Sequence, residues 1–149
     1  MQRCHGFSLL EMLVVLLIVG LFSALGVASL DAGQAPMHQA LAQLASEARS
    51  QAAVARHSGQ VLGLRWNGRQ PEFVRWQPAR GRPSWQVESS GTMSWPAGLQ
   101  PDWPVSTAPQ VMFTPSGLAR PVAVTWRWAE GRQRWQWRAD NTLQIATRP

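Results

Sequence analysis

A chain of 149 residues with a formal charge of +6 and a single cysteine, Cys4, has room for one ordinary domain and cannot form an internal disulfide. Its 14 basic residues are all Arg, and apart from Arg3 they stand mostly singly between apolar residues from Arg49 to Arg148, with no basic run of the kind that marks a nucleic-acid tract. Of the three histidines, His5 is near the N-terminus, while His38 and His57 are ~28 Å apart along a continuous helix, so no His or Cys cluster of metal-ligand spacing exists. With no phosphate-binding glycine loop and no nucleophile elbow either, neither enzymatic activity nor a cofactor is expected.

The N-terminus is the informative segment. From Met12 to Leu30 there are 19 residues without a charge. That is enough to span ~30 Å of hydrocarbon at ~1.5 Å per residue. The basic part before it is too short, and the apolar stretch too long, for an ordinary secretory signal. Arg3 and His5 precede the stretch and no Lys or Arg follows until Arg49, which predicts a cytoplasmic N-terminus and a C-terminal part outside. Glu11 is anomalous, because a carboxylate at the bilayer centre costs roughly 2.5–3.5 kcal/mol. Lying ~6 Å along the helix from Phe7, it sits nearer the headgroups and is placed to meet a cation within the apolar layer.

Gly6-Phe7-Ser8-Leu9-Leu10-Glu11-Met12, followed by the apolar run, resembles the signal of type IV pilins and type II secretion pseudopilins. The resemblance implies that a membrane prepilin peptidase/methyltransferase cleaves between Gly6 and Phe7 and methylates the new amine of Phe7. It implies a leader over 1–6 and a retained assembly helix over 7–30. It also gives Glu11 a partner, the Phe7 amine of a neighbouring subunit, with a reference pKa of ~7.7–8. Pairing offsets part of the cost of burying either charge alone.

After the apolar run, Asp31-Ala32-Gly33-Gln34-Ala35-Pro36 predicts a kink or linker over 31–36. A second helix is predicted from Met37 to His57, with Met37, Leu41, Leu44, Ala48, Ala52 and Ala55 forming one apolar stripe and Ser58-Gly59 ending it. Strands are predicted over Gln60–Trp66, Glu72–Gln77, Trp85–Glu88, Val111–Thr114, Val122–Trp128, Gln133–Arg138 and Leu143–Thr147, with Ser94–Pro109 as loop. A two-residue turn at Glu130-Gly131 would set Trp126 opposite Trp135 and Arg127 opposite Arg134, with Arg138 further along the same face.

The expected fold is therefore α+β and pilin-like: a long N-terminal transmembrane helix, then an amphipathic helix packed on an antiparallel β-sheet domain over 37–149. The Ala-rich second helix and Val111-Met112-Phe113-Thr114-Pro115-Ser116-Gly117 are similar to the H-type minor pseudopilins of type II secretion. H-type minor pilins of type IV pili share those features. The resemblance implies a single-pass inner-membrane subunit with its globular domain in the periplasm. Its implied partners are the major pseudopilin, other minor pseudopilins, the peptidase and the inner-membrane assembly platform, and no nucleic acid.

Nine Trp and no Tyr leave a different reading open, a membrane-anchored binding module with an aromatic surface. Trp66, Trp76, Trp126, Trp135 and Trp137 alternate within predicted strands, which assigns them to core and cross-strand packing. Trp95 and Trp103, in the Pro-rich loop, are the candidates for an exposed partner contact. Arg127, Arg134 and Arg138 are the candidates for docking an acidic surface.

Overall fold

The computed structural model describes residues 9–32, 34–78, 82–88 and 94–146, and the side chains of the first helix only over 9–22. The chain divides into two units, Met1–Pro36 and Met37–Pro149. The first unit carries helix α1 (Leu9–Ala32), with Glu11 in its first turn. Leu9, Leu10, Leu13, Leu16, Leu17, Val19 and Phe22 are all exposed, at every angle around the axis. A helix apolar all round has no face to leave in water. Among the described residues, no helix is long and apolar enough to cross a membrane.

Helix α2 (Ala35–Ser58) begins with Pro36 in its first turn, where a missing N–H costs nothing. It ends before Gly59, whose φ of 70° is the left-handed conformation that caps helices. Arg56 and His57 in the last turn complement the negative end of the helix dipole. The buried residues are Ala40, Leu41, Leu44, Ala45, Ala48, Gln51, Ala52 and Ala55, one continuous stripe dominated by small side chains that permit close approach to a sheet. Met37 is half-buried at its start.

The expected antiparallel sheet is in fact two four-stranded sheets. Strands β1 (Leu62–Trp66), β2 (Pro71–Gln77), β3 (Ser84–Val87) and β5 (Val111–Phe113) form one, in the order β3-β2-β1-β5. Strands β4 (Gln100–Pro101), β6 (Val122–Trp128), β7 (Gly131–Trp137) and β8 (Leu143–Ala146) form the other, in the order β4-β6-β7-β8. Every pairing is antiparallel. The segment expected to be pure loop contributes the two-residue strand β4 to the edge of the second sheet, pairing Gln100 with Arg127 and Pro101 with Trp126, before the chain returns to the first sheet at β5. Gln110 pins this crossover: its Oε1 accepts from Trp66 N at 3.2 Å and its Nε2 donates to Pro104 O at 3.0 Å.

The core lies between the α2 stripe and the inward faces of both sheets. Leu62, Leu64, Trp66, Phe73, Val111 and Phe113 come from the first sheet, and Val124, Trp126, Trp128, Trp135 and Trp137 from the second. Trp126 is fully buried and its ring touches those of Trp66, Trp95, Trp103 and Trp135, at centroid distances of 5.3–6.3 Å. Such edge-on and tilted aromatic pairs add about 0.5–1.5 kcal/mol each beyond area burial. Trp76 departs from the core expectation. It stands opposite Trp85 with ring centroids 5.1 Å apart, half-buried, and the register puts this pair on the face away from Leu62, Leu64 and Trp66.

The last hairpin is registered two residues away from the expectation. Val124, not Trp126, lies opposite Trp135; Val122 lies opposite Trp137; and Arg127 lies opposite Arg132, not Arg134. The turn is Ala129-Glu130, and Gly131 is already in the strand. The cause is steric. A Cβ on Gly131 would stand 2.8 Å from Cζ2 of Trp128, so glycine is what lets that indole lie across the strand opposite. Because side chains alternate with period two, a shift of two residues keeps every side chain on its expected face.

Candidate functional site

The two sheets treat their arginines differently. In the first, Arg65 donates through Nε and Nη2 to Glu72 Oε2 at 3.0 and 2.9 Å, and Arg75 pairs with Glu88 in the same two-pronged way. In the second, Arg127 on β6 and Arg132 and Arg134 on β7 are exposed and share the face turned away from the tryptophans. Among the described residues, none of these three guanidiniums has an ion pair or a hydrogen bond to a side chain or carbonyl.

The three line one hollow of ≈ 550 Å³, together with Thr125, Gln136 and Ala146. A second hollow of ≈ 480 Å³ continues from it along β8, lined by Arg134, Gln136, Gln144, Ile145 and Ala146. Arg134 is registered against Ala146 and Gln136 against Gln144, so the positions beside Arg134 along β7 and β8 are uncharged. Asp102 shares a neighbouring hollow with Arg127, but its Oδ1 accepts from the Thr125 amide at 2.9 Å.

Arg127 and Arg134 therefore lie together as the sequence suggested. Arg138 lies past the end of β7, exposed, with its backbone amide donating to Thr142 O at 3.0 Å, and does not line the hollow. Arg132 takes its place. Sequence reasoning missed Arg132 because it falls between the turn expected at Glu130-Gly131 and the strand expected from Gln133, and the signal that could have found it was Gly131 following Trp128 at hairpin spacing. Single placement along the chain does not keep these arginines apart: Arg127, Arg132 and Arg134, separated by other residues within one hairpin, share a face, so dispersal gives no reason to exclude polyanions.

Trp95 and Trp103 are not free-standing surface aromatics. Both are half-buried against the core, Trp95 Nε1 donating to Leu99 O at 2.9 Å and Trp103 Nε1 to Ala123 O at 3.0 Å. Their rings contact Trp66 and Trp126, and Trp126 and Trp137, respectively. A Pro-rich loop carrying two indoles closes over the open end of the aromatic core because the core satisfies both their apolar surface and their N–H groups.

At the far end of β7, the Asp140-Asn141 turn leads into β8. Asp140 Oδ1 accepts from Thr142 N at 2.9 Å. That backbone hydrogen bond and the Thr142 hydroxyl hold the Asp140 carboxyl below the usual carboxylate range, assisted by Arg138. Among the described residues, no group of three or more His, Cys, Asp or Glu is placed to hold a metal ion.

Gly6 and Phe7, the expected cleavage and methylation site, lie outside the described residues. Glu11 is described, exposed, on the first turn of α1, where a carboxylate complements the helix dipole. Residues 1–27 match the family described as prokaryotic N-terminal methylation motif. This is the type IV pilin-like signal, carried typically by membrane-anchored proteins, and it covers Gly6, Phe7 and Glu11. No curated protein and no solved structure matches the chain.

Proposed function

We propose that this chain is a minor subunit of a pilin-like filament, a minor pseudopilin of a type II secretion system, anchored in the inner membrane through residues 7–30 with residues 37–149 in the periplasm. The observation that carries the reading is the methylation motif over residues 1–27, with Gly6-Phe7 ahead of an apolar helix and Glu11 four residues after Phe7. Cleavage after Gly6 leaves a cationic amine on Phe7, and Glu11 of the neighbouring subunit pairs with it as helices stack. The pairing favours the staggered register in which every amine meets a carboxylate. An α+β globular unit rich in antiparallel strands is compatible with this role.

Mass spectrometry of the membrane-extracted protein tests it. The expected product starts at Phe7 and carries one extra methyl group; a start elsewhere, or an intact leader in cells that have the peptidase, overturns the reading. Glu11→Ala is expected to keep membrane insertion and lose filament incorporation. A minor pilin of a type IV pilus shares every one of these features, and the companion genes of the operon separate the two systems.

A further inference from the structure

The geometry points to the hollow over β6, β7 and β8 as a docking site for an acidic, extended segment of a different chain, whose carboxylates pair with Arg127, Arg132 and Arg134. The inference rests on the reading of this chain as one subunit among unlike subunits.

Three observations carry it. The first is the unbalanced charge of this face. Elsewhere the chain neutralises strand arginines locally, as Arg65–Glu72 and Arg75–Glu88 do, whereas here it sets Arg127 directly against Arg132 with Arg134 two residues along. Like charges opposed across a hairpin are destabilising, so the arrangement works against the fold unless an anion relieves it.

The second observation is spacing. Arg132 and Arg134 are two residues apart on one strand, ~6.6–6.8 Å, which is also the repeat of same-face side chains on any extended peptide. The hollow continues beside β8, which is the outer strand of its sheet, and its floor of Thr125, Gln136 and Ala146 is uncharged and open to alternate side chains. A volume of ≈ 550 Å³ takes a few side chains.

The third is that this chain is poor in the acidic complement. After residue 36 it has thirteen Arg and six carboxylates. Glu72 and Glu88 are held by Arg65 and Arg75, Asp102 and Asp140 by backbone amides, and Glu47 by Gln51 at 2.9 Å. The sixth, Glu130, is on the turn of the same hairpin as the arginines. A second copy therefore brings repulsion to this face, and the complement has to come from an acidic partner. Charge complementarity of this kind sets orientation and encounter rate and identifies the wrong neighbour by repulsion.

The test uses the full chain in phosphatidylcholine nanodiscs, free of detergent, with three probes: a fluorescent deca-glutamate peptide, a mixed-sequence DNA duplex of the same net charge, and phosphatidylglycerol vesicles. The substitutions are Arg127→Gln, Arg132→Gln and Arg134→Gln together, with Arg49→Gln and Arg120→Gln as a control pair. The expected result is peptide binding weakened roughly tenfold by the triple substitution and unchanged by the control. Equal peptide binding by all three proteins overturns the inference. So does tighter binding of the duplex or the vesicles than of the peptide when that binding is lost in the triple variant, because the face then belongs to nucleic acid or lipid. Thermal melts of the variants establish that each is folded. Processing at Phe7 is read independently, so failure here leaves the filament reading standing, and failure there leaves peptide binding measurable.

Discussion

Arg127 lies directly opposite Arg132 across the β6–β7 hairpin, one pair before Trp128 and Gly131 close it. Both side chains are exposed and neither has an ion-pair partner among the described residues. The direct consequence is for stability. Arg132→Gln removes one of two opposed like charges, and the domain is expected to gain a few tenths to about 1 kcal/mol. The gain should fall as salt is raised past about 0.15 M, where surface charges are screened. Urea unfolding at two ionic strengths measures both effects. No gain at low salt would mean that the two guanidiniums splay apart rather than repel.

Gly63, in the middle of β1, has no room for a side chain. A Cβ there would stand 2.5 Å from Cβ of Pro109 and 3.0 Å from the carbonyl oxygen of Val111, and the latter belongs to backbone paired with β1. Gly63→Ala is therefore expected to destabilise by about 1–3 kcal/mol, the usual cost of overpacking, by pushing the crossover segment off the sheet. Trp66 emission should report the movement, since its amide is tied to Gln110 in the same segment. An unchanged urea midpoint in this variant would show that Pro109 yields freely.

Asp140 makes the stability of the β7–β8 turn depend on pH. Its carboxyl is held below its ordinary value chiefly by the Thr142 backbone amide, then by the Thr142 side chain. A carboxylate whose folded value is depressed contributes stability that is complete above the unfolded value of ~3.9 and is lost as pH falls through the folded one. The difference in stability between the wild type and Asp140→Ala should be constant from pH 7 to about 5 and should shrink below pH ~4. A difference that stays constant into the acid range would mean that the oxygen acts as an uncharged acceptor.

Much of the globular unit is legible in the sequence because its signals are periodic. The α2 stripe appears as spacings of three and four from Met37 to Ala55, and strands β1, β2, β3, β5 and β8 appear within about two residues of their ends. What was not legible depends on contacts between segments distant in the chain. The register of the last hairpin turns on whether Gly131 belongs to the turn or the strand, and that is decided by the indole of Trp128 lying across it. Strand β4, at the edge of the second sheet, is two residues in a Pro-rich stretch that no alternation can reveal. Trp95 and Trp103 looked exposed because loops usually are; the aromatic core reaches out to the loop, and periodicity within the loop carries no trace of it. Arg132 joined the candidate site only through the register, since its neighbours in sequence do not place it opposite Arg127.

Asn141 gives the last prediction. It holds φ at 62°, the left-handed conformation, and is 7% exposed, with neither Oδ1 nor Nδ2 hydrogen-bonded. Its backbone amide donates to Arg138 O at 3.0 Å, so the turn itself is well made and the side chain is what is unsatisfied. A buried polar group without partners costs about 1–3 kcal/mol. Glycine removes that group and adopts the left-handed conformation without strain, at an entropic cost of about 0.4–1 kcal/mol in the unfolded chain. Asn141→Gly should therefore be neutral to stabilising by up to about 2 kcal/mol. Asn141→Ala also removes the amide but forces a Cβ into a conformation costing roughly 1–2 kcal/mol, so it should be the less stable of the two. Asn141→Asp buries a carboxylate at the same place and should be destabilised most at neutral pH, recovering as the group is protonated in acid. Urea midpoints of the three variants at pH 7 and pH 4 give the order directly. If Asn141→Gly is the least stable at pH 7, the side-chain amide finds hydrogen-bond partners in solution and its burial carries no penalty.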